Sequence, residues 1–411
     1  MTGRRLRGRA LAAALLTAAV LPAPAACGPA PARPAPPPRP AAPVPGVVTW
    51  AASAQPLGEA APGQAYRLVV HTSVAGRAPR VRLSNAFGDR PLTLDSVYAG
   101  LRARGAALRP GSNRRLTFAG ARTVTVPPGA SVWSDPLPAS LPADVDLVVS
   151  LHTPGGQGPA TGHALALQTS YTGPGDPTAE ESGAHWTHTT RSWWYLDAVA
   201  VRPSRPGTGA VAVLGDSLTD GRRSTPGTNR RWPDLLARRL AASRTAVQGV
   251  ADEGISGNQV LADGAAPSAL HRLDQDVLAL PGVRTLVLFE GVNDIKAHTG
   301  VTASRLIAGY LRILRRAHAA GLCVAVATLS PFQGWPEWDP AAEAVRRQVN
   351  RYLRGTRAFD AVLDLDRALR DPHDPARLRP AYDSGDHLHP GDRGMRALAD
   401  AVAPHRLDCA R

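Results

Sequence analysis

The second half of the chain alternates short apolar runs with amphipathic stretches, and this alternation restricts the fold more than any other feature. The apolar runs cover residues 211–214, 286–289, 324–328 and 361–365, and the amphipathic stretches cover 232–240, 303–320 and 341–353. Strands that are apolar on both faces are typical of parallel sheets with helices on either side. We therefore predict an α/β domain over residues 207–411, with a parallel sheet covered on both faces.

The preceding part of the chain follows a period of two residues. Residues 66–71, 80–84 and 147–151 alternate apolar with polar side chains, and residues 123–126 run into the turn-forming Pro127, Pro128 and Gly129. Short strands separated by closely spaced turns are typical of antiparallel sandwiches. We predict an antiparallel β-sandwich accessory domain over residues 47–206, joined to the α/β domain by a segment rich in proline and glycine.

The N-terminus has the three parts of a secretory signal. Arginines between residues 4 and 9 precede an apolar run over residues 10–21, and Ala23, Pro24 and Ala25 form a small-residue cleavage site. This segment is too short to span a bilayer, and no later stretch is long enough to do so. We predict a signal peptide over residues 1–26, a Pro/Ala-rich linker over residues 27–46, and secretion. Lipid anchoring through Cys27 is the alternative.

The formal net charge of +14 does not by itself indicate a nucleic-acid partner. Nearly all the basic residues are arginines spread along the chain, and Lys296 is the only lysine. Aromatic residues that would stack on bases are not interleaved with them. We therefore predict no nucleic-acid partner, and the sequence leaves the oligomeric state open.

Two of the three cysteines lie in the predicted α/β domain. Cys323 and Cys409 either pair in an oxidising compartment or remain free thiols. The apolar surroundings of Cys323 favour a small, buried, unpaired side chain.

Polar residues follow the predicted strands at several points. Residues 215–218 read GDSL, 254–258 read GISGN, 291–294 read GVND and 386–390 read DHLHP. In open parallel sheets, ligands bind beyond the carboxyl ends of the strands. Taken singly, each segment has a simpler interpretation as a turn or helix cap, and residues 386–389 as a surface loop or metal site.

Together these segments contain a candidate serine nucleophile and the residues that could activate it. The Ser217 hydroxyl needs a base to take its proton, and His389 is the candidate, with Asp386 three residues earlier to orient the imidazole. His387 and Asp383 are the competing base and orienting residue. Asp216 and Asp294 are expected to accept hydrogen bonds from nearby backbone N–H groups. No further His or Cys has zinc-like spacing, so we predict no metal.

In order and spacing, the four segments resemble the signature blocks of the SGNH, or GDSL-type, hydrolases over residues 209–405. The preceding stretch resembles a secreted two-domain bacterial branch with xylan acetylesterase-like members. The resemblance implies a three-layer α/β/α, flavodoxin-like domain and no cofactor. It also implies catalytic Ser217, Asp386 and His389, and an oxyanion hole formed by the N–H groups of Ser217 and Gly257 and the amide of Asn293.

The function that follows is a secreted serine esterase. It would hydrolyse short-chain acyl esters, foremost acetyl esters, on small molecules or a polysaccharide through an acyl-Ser217 intermediate. The alternatives are a lipid-directed esterase or acyltransferase and a non-catalytic glycan-binding protein. Phe332, Trp335 and Trp338 follow the fourth predicted strand, where aromatic rings either contact substrate or pack the loop down.

Overall fold

The computed structural model of the protein describes residues 45–155, 158–264 and 266–409. The predicted signal peptide, Cys27 and the linker up to residue 44 lie outside these residues. All the described residues belong to one compact unit, Pro38–Arg411. The predicted division into separate domains at residue 206 therefore stays a prediction. No helix among the described residues is long and apolar enough to cross a membrane.

The N-terminal region is β-rich and mostly antiparallel, as the period-two pattern predicts. In the strand around residue 68 every residue from 65 to 70 is buried, and alternate side chains join different apolar clusters, with Leu68 in the main core and Val69 in a separate one. Leu147 lies opposite both Val70 and Leu101 in the register of its sheet. The sandwich arrangement itself stays a prediction. The strands are β1 Val47–Ala51, β2 Gln55–Glu59, β3 Gln64–His71, β4 Gly76–Ser84, β5 Leu92–Leu94, β6 Ser96–Arg104, β7 Ala107–Leu108, β8 Arg114–Arg115, β9 Val124–Val126, β10 Ser131–Trp133, β11 Ser140–Leu141, β12 Asp146–Thr153, β13 Pro159–His163, β14 Ser170–Pro174, β15 His188–Thr190, β16 Trp193–Trp194 and β17 Leu196–Pro203.

The second half of the chain forms a parallel sheet, which confirms that prediction. Its strand order is β19-β18-β20-β21-β22. The strands are β18 Gly209–Gly215, β19 Val247–Gly254, β20 Val283–Phe289, β21 Cys323–Ala327 and β22 Ala361–Leu363. The helices are α1 Trp232–Ala241, α2 Ala269–Leu273, α3 Val292–Lys296, α4 Ala303–Ala319, α5 Pro340–Gly355, α6 Leu365–Leu369 and α7 Asp392–Ala401, with a π-helical turn Asp274–Leu278 and a 3₁₀ turn Pro404–Leu407.

Successive residues of β18 pack into two different apolar cores. Ala212 shares a core with Leu306 of α4, whereas Val213 shares the other with Leu236 of α1 and Met395 of α7. Burial on both faces explains why the strand is apolar at every position. The chain reverses its direction of strand addition beside β18, so the ends of β18 and β20 form the switch point where ligands bind in such sheets.

The predicted strand over residues 361–365 is too long. Strand β22 ends at Leu363, and Leu365 already begins helix α6. The Asp364 side chain accepts a hydrogen bond from the backbone N–H of Arg367 (3.3 Å) and so caps this helix. The sequence does not show where the strand ends and the helix begins, because Asp364 is the only polar residue between the two apolar segments.

Cys323 and Cys409 are joined in a disulfide, with their Cα atoms 6.0 Å apart. The favoured prediction of an unpaired Cys323 is therefore wrong. Strand β21 begins at Cys323, and the C-terminal segment is held against the sheet by a hydrogen bond from Thr285 Oγ1 to the Leu407 carbonyl (2.6 Å). Chain segments 86 residues apart meet here, and local sequence does not report such a contact.

Candidate active site

A hydrogen-bonded array joins Ser217, His389 and Asp386 at the carboxyl end of the parallel sheet. The Ser217 Oγ lies 2.9 Å from Nε2 of His389, and Nδ1 of the same ring lies 2.9 Å from Oδ2 of Asp386. Ser217 follows β18, whereas His389 and Asp386 lie in the loop between α6 and α7. Because Nδ1 faces a carboxylate, it carries the proton, and the Nε2 lone pair is directed at the hydroxyl. The ring can therefore accept the serine proton.

Four donors hold the Asp386 carboxylate. Its Oδ1 accepts from the backbone N–H groups of His389 (2.8 Å) and Leu388 (3.1 Å), and its Oδ2 accepts from the His389 ring and from Nε of Arg223 (3.0 Å). Burial raises the pKa of Asp386, but the His389 N–H, the ring, Arg223 and the Leu388 N–H outweigh it and leave this pKa well below its usual value. Asp386 is therefore ionised at neutral pH and can orient the imidazole.

The imidazole of His389 is neutral at neutral pH. Its side chain is buried, and its ring and the Trp335 ring are nearly perpendicular, with the centroids 5.6 Å apart. Burial lowers the pKa of His389, Asp386 raises it, and the nearby cations Arg222 and Lys296 lower it again, so the net pKa lies below the usual value. A neutral imidazole at working pH can act as a base.

Two backbone N–H groups beside this array have room to bind an oxygen. Across residues 45–155, 158–264 and 266–409, neither the Ser217 N–H nor the Gly257 N–H has a hydrogen-bond acceptor. Gly257 has φ of +83°, a left-handed conformation that disfavours other residues, and no atom lies within 4 Å of where a Cβ would stand. Both groups are therefore free to donate to a substrate oxygen.

The Asn293 side chain is oriented by polar partners on both of its ends. Its Oδ1 accepts from Nζ of Lys296 (3.1 Å), and its Nδ2 donates to the Asn258 carbonyl (2.9 Å). The Lys296 ammonium lies 4.6 Å from the centroid of the Trp335 ring, within cation–π range. One amide hydrogen of Asn293 thus remains available, with only a long 3.4 Å contact to Asp216 competing for it.

Lys296 is a site residue that the sequence reasoning missed. The signal was present, because Lys296 is the only lysine of the chain and follows Asn293 by one helical turn. Burial lowers its pKa, and the carboxylates of Asp216 and Glu337 oppose this. Arg223 was missed as well, because nothing near it in sequence indicates contact with Asp386.

Two aspartates brace the loops of the site, as expected. The carboxylate of Asp294 accepts from the backbone N–H groups of Val260 (2.8 Å) and Leu261 (3.0 Å), which ties the end of β20 to the loop after β19. Asp216 accepts from the N–H of Leu218 (3.0 Å). Burial raises the pKa of each carboxyl to about 6. The prediction that both bind backbone N–H groups is confirmed.

The competing histidine points to a different partner. His387 Nδ1 lies 2.6 Å from Asp383 Oδ2, and this pair is separate from the contacts of Ser217. Among the described residues, no group of three or more His, Cys, Asp or Glu side chains is arranged to hold a metal ion.

The three candidate aromatic residues have different environments. Phe332 is fully buried in the hydrophobic core, which removes it from the candidate substrate contacts. Trp335 is partly buried and contacts Lys296 and the His389 ring, so it is the candidate aromatic residue that lies beside the hydrogen-bonded array. Trp338 is partly buried against the core. The sequence of a loop does not show whether an aromatic side chain packs into the core or faces a ligand.

Comparison with known proteins shows which family this part of the chain resembles. Residues 213–397 match the model of the GDSL-like lipase/acylhydrolase family. A G-D-S-L-family lipolytic protein from Desulfitobacterium hafniense is similar in structure, with 21% identity over 49% of this chain and 100% of its own, and a TM-score of 0.39. No curated protein matches the chain significantly.

Two further solved structures are each similar over about half of the chain. The acetylxylan esterase Axe2 from Geobacillus stearothermophilus has 21% identity over 47% of this chain and 91% of its own, with a TM-score of 0.36. A carbohydrate acetylesterase family member from Sinorhizobium meliloti has 17% identity over 48% and 97%, with a TM-score of 0.38. Residues 213–397 are therefore a domain of the GDSL-like lipase/acylhydrolase family, whose members are hydrolases that act on esters.

Proposed function

We propose that the protein is a secreted serine esterase that removes short acyl groups, foremost acetyl, from small-molecule or polysaccharide esters. One observation carries this proposal: the Ser217 hydroxyl is hydrogen-bonded to the neutral ring of His389, beside two N–H groups that have no acceptor in the described chain. That arrangement supplies a nucleophile, its base and a place for negative charge. We propose Ser217, His389 and Asp386 as the catalytic residues.

The reaction proceeds in two steps. As Ser217 Oγ attacks the ester carbonyl carbon, its proton moves to Nε2 of His389, and the imidazolium is stabilised by Asp386. The same proton then passes to the leaving alcohol, and an acyl group remains on Ser217. A water molecule attacks this acyl-enzyme, giving its proton to His389, and the carboxylic acid leaves as the serine recovers its hydrogen.

The tetrahedral intermediate of each step carries a negative oxygen. We propose that the N–H groups of Ser217 and Gly257 and the amide of Asn293 donate to it. Lys296 holds the carbonyl end of the Asn293 amide (3.1 Å), so the NH₂ end faces away from the lysine and needs no reorientation during the reaction.

Replacing Asn293 by alanine is expected to lower kcat by about 10²–10³-fold with little change in KM. The amide acts on charge that develops only in the transition state, so substrate binding is barely affected. Steady-state kinetics on p-nitrophenyl acetate measures both constants. A change confined to KM would contradict the oxyanion role of Asn293.

The size of the acyl group is the finer part of the proposal. A small open pocket lies beside Gly257, lined by residues between Ile255 and Ala266. A small pocket next to a proposed oxyanion donor supports a short acyl group. We expect p-nitrophenyl acetate and propionate to be hydrolysed fastest and activity to fall steadily towards the palmitate, with acetate also released from acetylated xylan.

The same panel separates the alternatives. Fastest turnover of palmitate would identify a lipid-directed esterase, and transfer of the acyl group to an added alcohol in preference to water would identify an acyltransferase. Binding of glycans without hydrolysis of any ester would identify a non-catalytic binding protein. Each of these results would overturn the short-chain proposal.

The cellular setting and the finer architecture are proposals as well. Secretion is supported by the signal-like pattern of residues 1–26, and the Pro/Ala-rich residues 27–46 would space the enzyme from its point of release. The three-layer arrangement of the hydrolase part is supported by the two apolar cores on opposite faces of β18. An antiparallel sandwich remains the proposed arrangement of the β-rich region.

A further inference from the structure

The strand that leads to Gly257 is held from outside the parallel sheet. The loop of residues 255–258 follows the edge strand β19, whose only partner strand in the parallel sheet is β18 among the residues described. On its other side, the backbone N–H of Val250 donates to Oγ of Ser73 (2.9 Å), and Asp252 forms a parallel bridge with Ala52. Residues of the β-rich region therefore cover this edge, which would otherwise expose unpaired backbone groups.

A histidine of the β-rich region extends from there towards the loop. His163, at the end of β13, has Nε2 at 3.1 Å from Oδ1 of Asp220 and Nδ1 at 3.0 Å from the Ser53 carbonyl oxygen. Both members of the pair are almost fully buried, with 3% of His163 and 2% of Asp220 exposed. A ring that faces an acceptor at each nitrogen satisfies both only when both nitrogens carry protons. His163 is thus held as a cation against the Asp220 carboxylate.

The surroundings of His163 support the charged form. Burial lowers the pKa of His163, Asp220 and the Ser53 carbonyl raise it, and the neighbouring Arg231 guanidinium lowers it, with a net rise. The Trp193 ring packs beside the imidazole, with centroids 5.5 Å apart.

Asp220 transmits this contact to the loop that carries Gly257. Its Oδ2 accepts hydrogen bonds from the N–H (3.0 Å) and Oγ (2.6 Å) of Ser256, the residue directly before Gly257. Its own N–H donates to the carbonyl of Asp216 (2.9 Å), the residue directly before the nucleophile. Gly254 packs so tightly here that a Cβ would stand 2.1 Å from the Asp220 nitrogen. Asp220 therefore connects the nucleophile turn to the loop.

The residue after Gly257 is held by a second chain of contacts that also begins in the β-rich region. Oγ of Ser53 accepts a hydrogen bond from Nη1 of Arg272 (2.7 Å). The same guanidinium donates to Oδ1 of Asn258 (2.9 Å) and to the Gly215 carbonyl (2.9 Å). Both chain neighbours of Gly257 are thus held by hydrogen bonds, Ser256 by Asp220 and Asn258 by Arg272.

We propose that His163 is a positioning residue for the oxyanion hole, acting through Asp220 and Ser256 on the Gly257 N–H. This inference rests on the proposed function, because it takes the Gly257 N–H as a donor to the oxyanion. Gly257 has only open space where a side chain would point, so its position depends on its two neighbours. The β-rich region then contributes to the proposed active site, because it supplies the buried His163 cation that holds Asp220.

We expect kcat to fall by less than it would if the Gly257 N–H were lost altogether. Removing one oxyanion donor costs about 10²–10³-fold in kcat, and a donor that is displaced but present loses part of that. In a His163→Phe variant, Asp220 keeps its bonds to Ser256 but loses the partner of Oδ1 and is left buried. We expect kcat to fall by about 10-fold to 100-fold, with KM changed less than about two-fold.

The matched control is His152→Phe. His152 is also a buried histidine of the β-rich region, and its Nδ1 lies 2.7 Å from Oδ1 of Asp95. Its loss should also destabilise the fold but leave kcat of the folded enzyme unchanged. Labelling of Ser217 to completion with a fluorophosphonate counts the active molecules, so that kcat refers to folded protein in both variants.

A phenylboronic acid provides a readout that a merely structural role would not move. Its tetrahedral adduct with the serine places an oxygen in the oxyanion hole, so its Kd should rise in His163→Phe by the same factor as kcat falls, and not in His152→Phe. Equal kcat values for the two variants, or an unchanged boronate Kd in His163→Phe, would overturn the positioning role.

A milder variant keeps the test open if phenylalanine prevents folding. His163→Gln keeps an amide donor for Asp220 and should recover at least about three-fold of the lost kcat. Ser256→Ala, which removes the Oγ contact, should combine with His163→Gln less than additively, because both act through Asp220. Additive effects would contradict the shared path. Failure of the wild-type protein to hydrolyse any ester would instead reject the proposed function itself.

Discussion

Replacing Ser217 by alanine is expected to lower kcat for p-nitrophenyl acetate by on the order of 10⁶-fold. The variant has no oxygen at the position from which the carbonyl would be attacked, and only the N–H groups and Asn293 remain to favour addition of water. The Ser217 Oγ is bonded to Nε2 of His389 (2.9 Å). The loss of this one hydrogen bond should change the free energy of unfolding by no more than about 1 kcal/mol.

The measurement is an initial rate on purified variant, with the melting temperature recorded beside it. Ser224→Ala is the control, because Ser224 is a buried serine of the same loop that follows β18. It should keep close to wild-type kcat. Retention of more than a hundredth of wild-type activity by Ser217→Ala would show that the nucleophile is another residue.

Replacing Asp386 by asparagine is expected to lower kcat by about 10⁴-fold. The asparagine oxygen can still accept from the N–H groups of His389 and Leu388, so the loop keeps its shape. The amide NH₂ then faces Nδ1, which favours the tautomer with its proton on Nε2. In that tautomer, Nε2 has no lone pair for the Ser217 proton, and the base is lost although the ring stays in place.

The chain contains a close internal control for this variant. Asp383 accepts from the ring of His387 (2.6 Å) and from the N–H groups of Gly385 (2.8 Å) and His387 (3.0 Å), in the same loop as Asp386. Asp383→Asn therefore makes the same chemical change to an equivalent Asp–His pair that does not contact the serine. Comparable losses of kcat in the two variants would mean that the loop, and not the orientation of His389, is responsible.

Much of the candidate site follows from local sequence. Ser217 and Asn293 follow strands that turned out to be neighbours, and the carboxyl ends of parallel neighbours lie at the same edge of the sheet. Asp386 and His389 are three residues apart, so one turn of the loop brings the carboxylate to the ring. Gly257 is a glycine in a conformation that other residues rarely adopt.

Other features of the site have no local signal. The side chains of Arg223 and Asp386 meet across 163 residues of sequence, and those of His163 and Asp220 across 57. Phe332 and Trp335 lie in the same loop, yet one is fully buried in the core and the other contacts Lys296. Their neighbours in sequence are equally apolar and equally rich in proline, so composition does not separate them.

The sequence by itself determined the parallel sheet, the β-rich region before it, the positions of Ser217, Gly257 and Asn293 after strands, and the three-residue spacing of Asp386 and His389. These depend on the spacing of a few consecutive residues, because side-chain periodicity and glycine conformation are local properties. Only the tertiary structure decided which arginine meets Asp386, that Cys323 pairs with Cys409, and that a histidine of the β-rich region lies behind the Gly257 loop. Such contacts arise from the packing of distant segments, and a hydrogen bond between them depends on distances that no local pattern encodes.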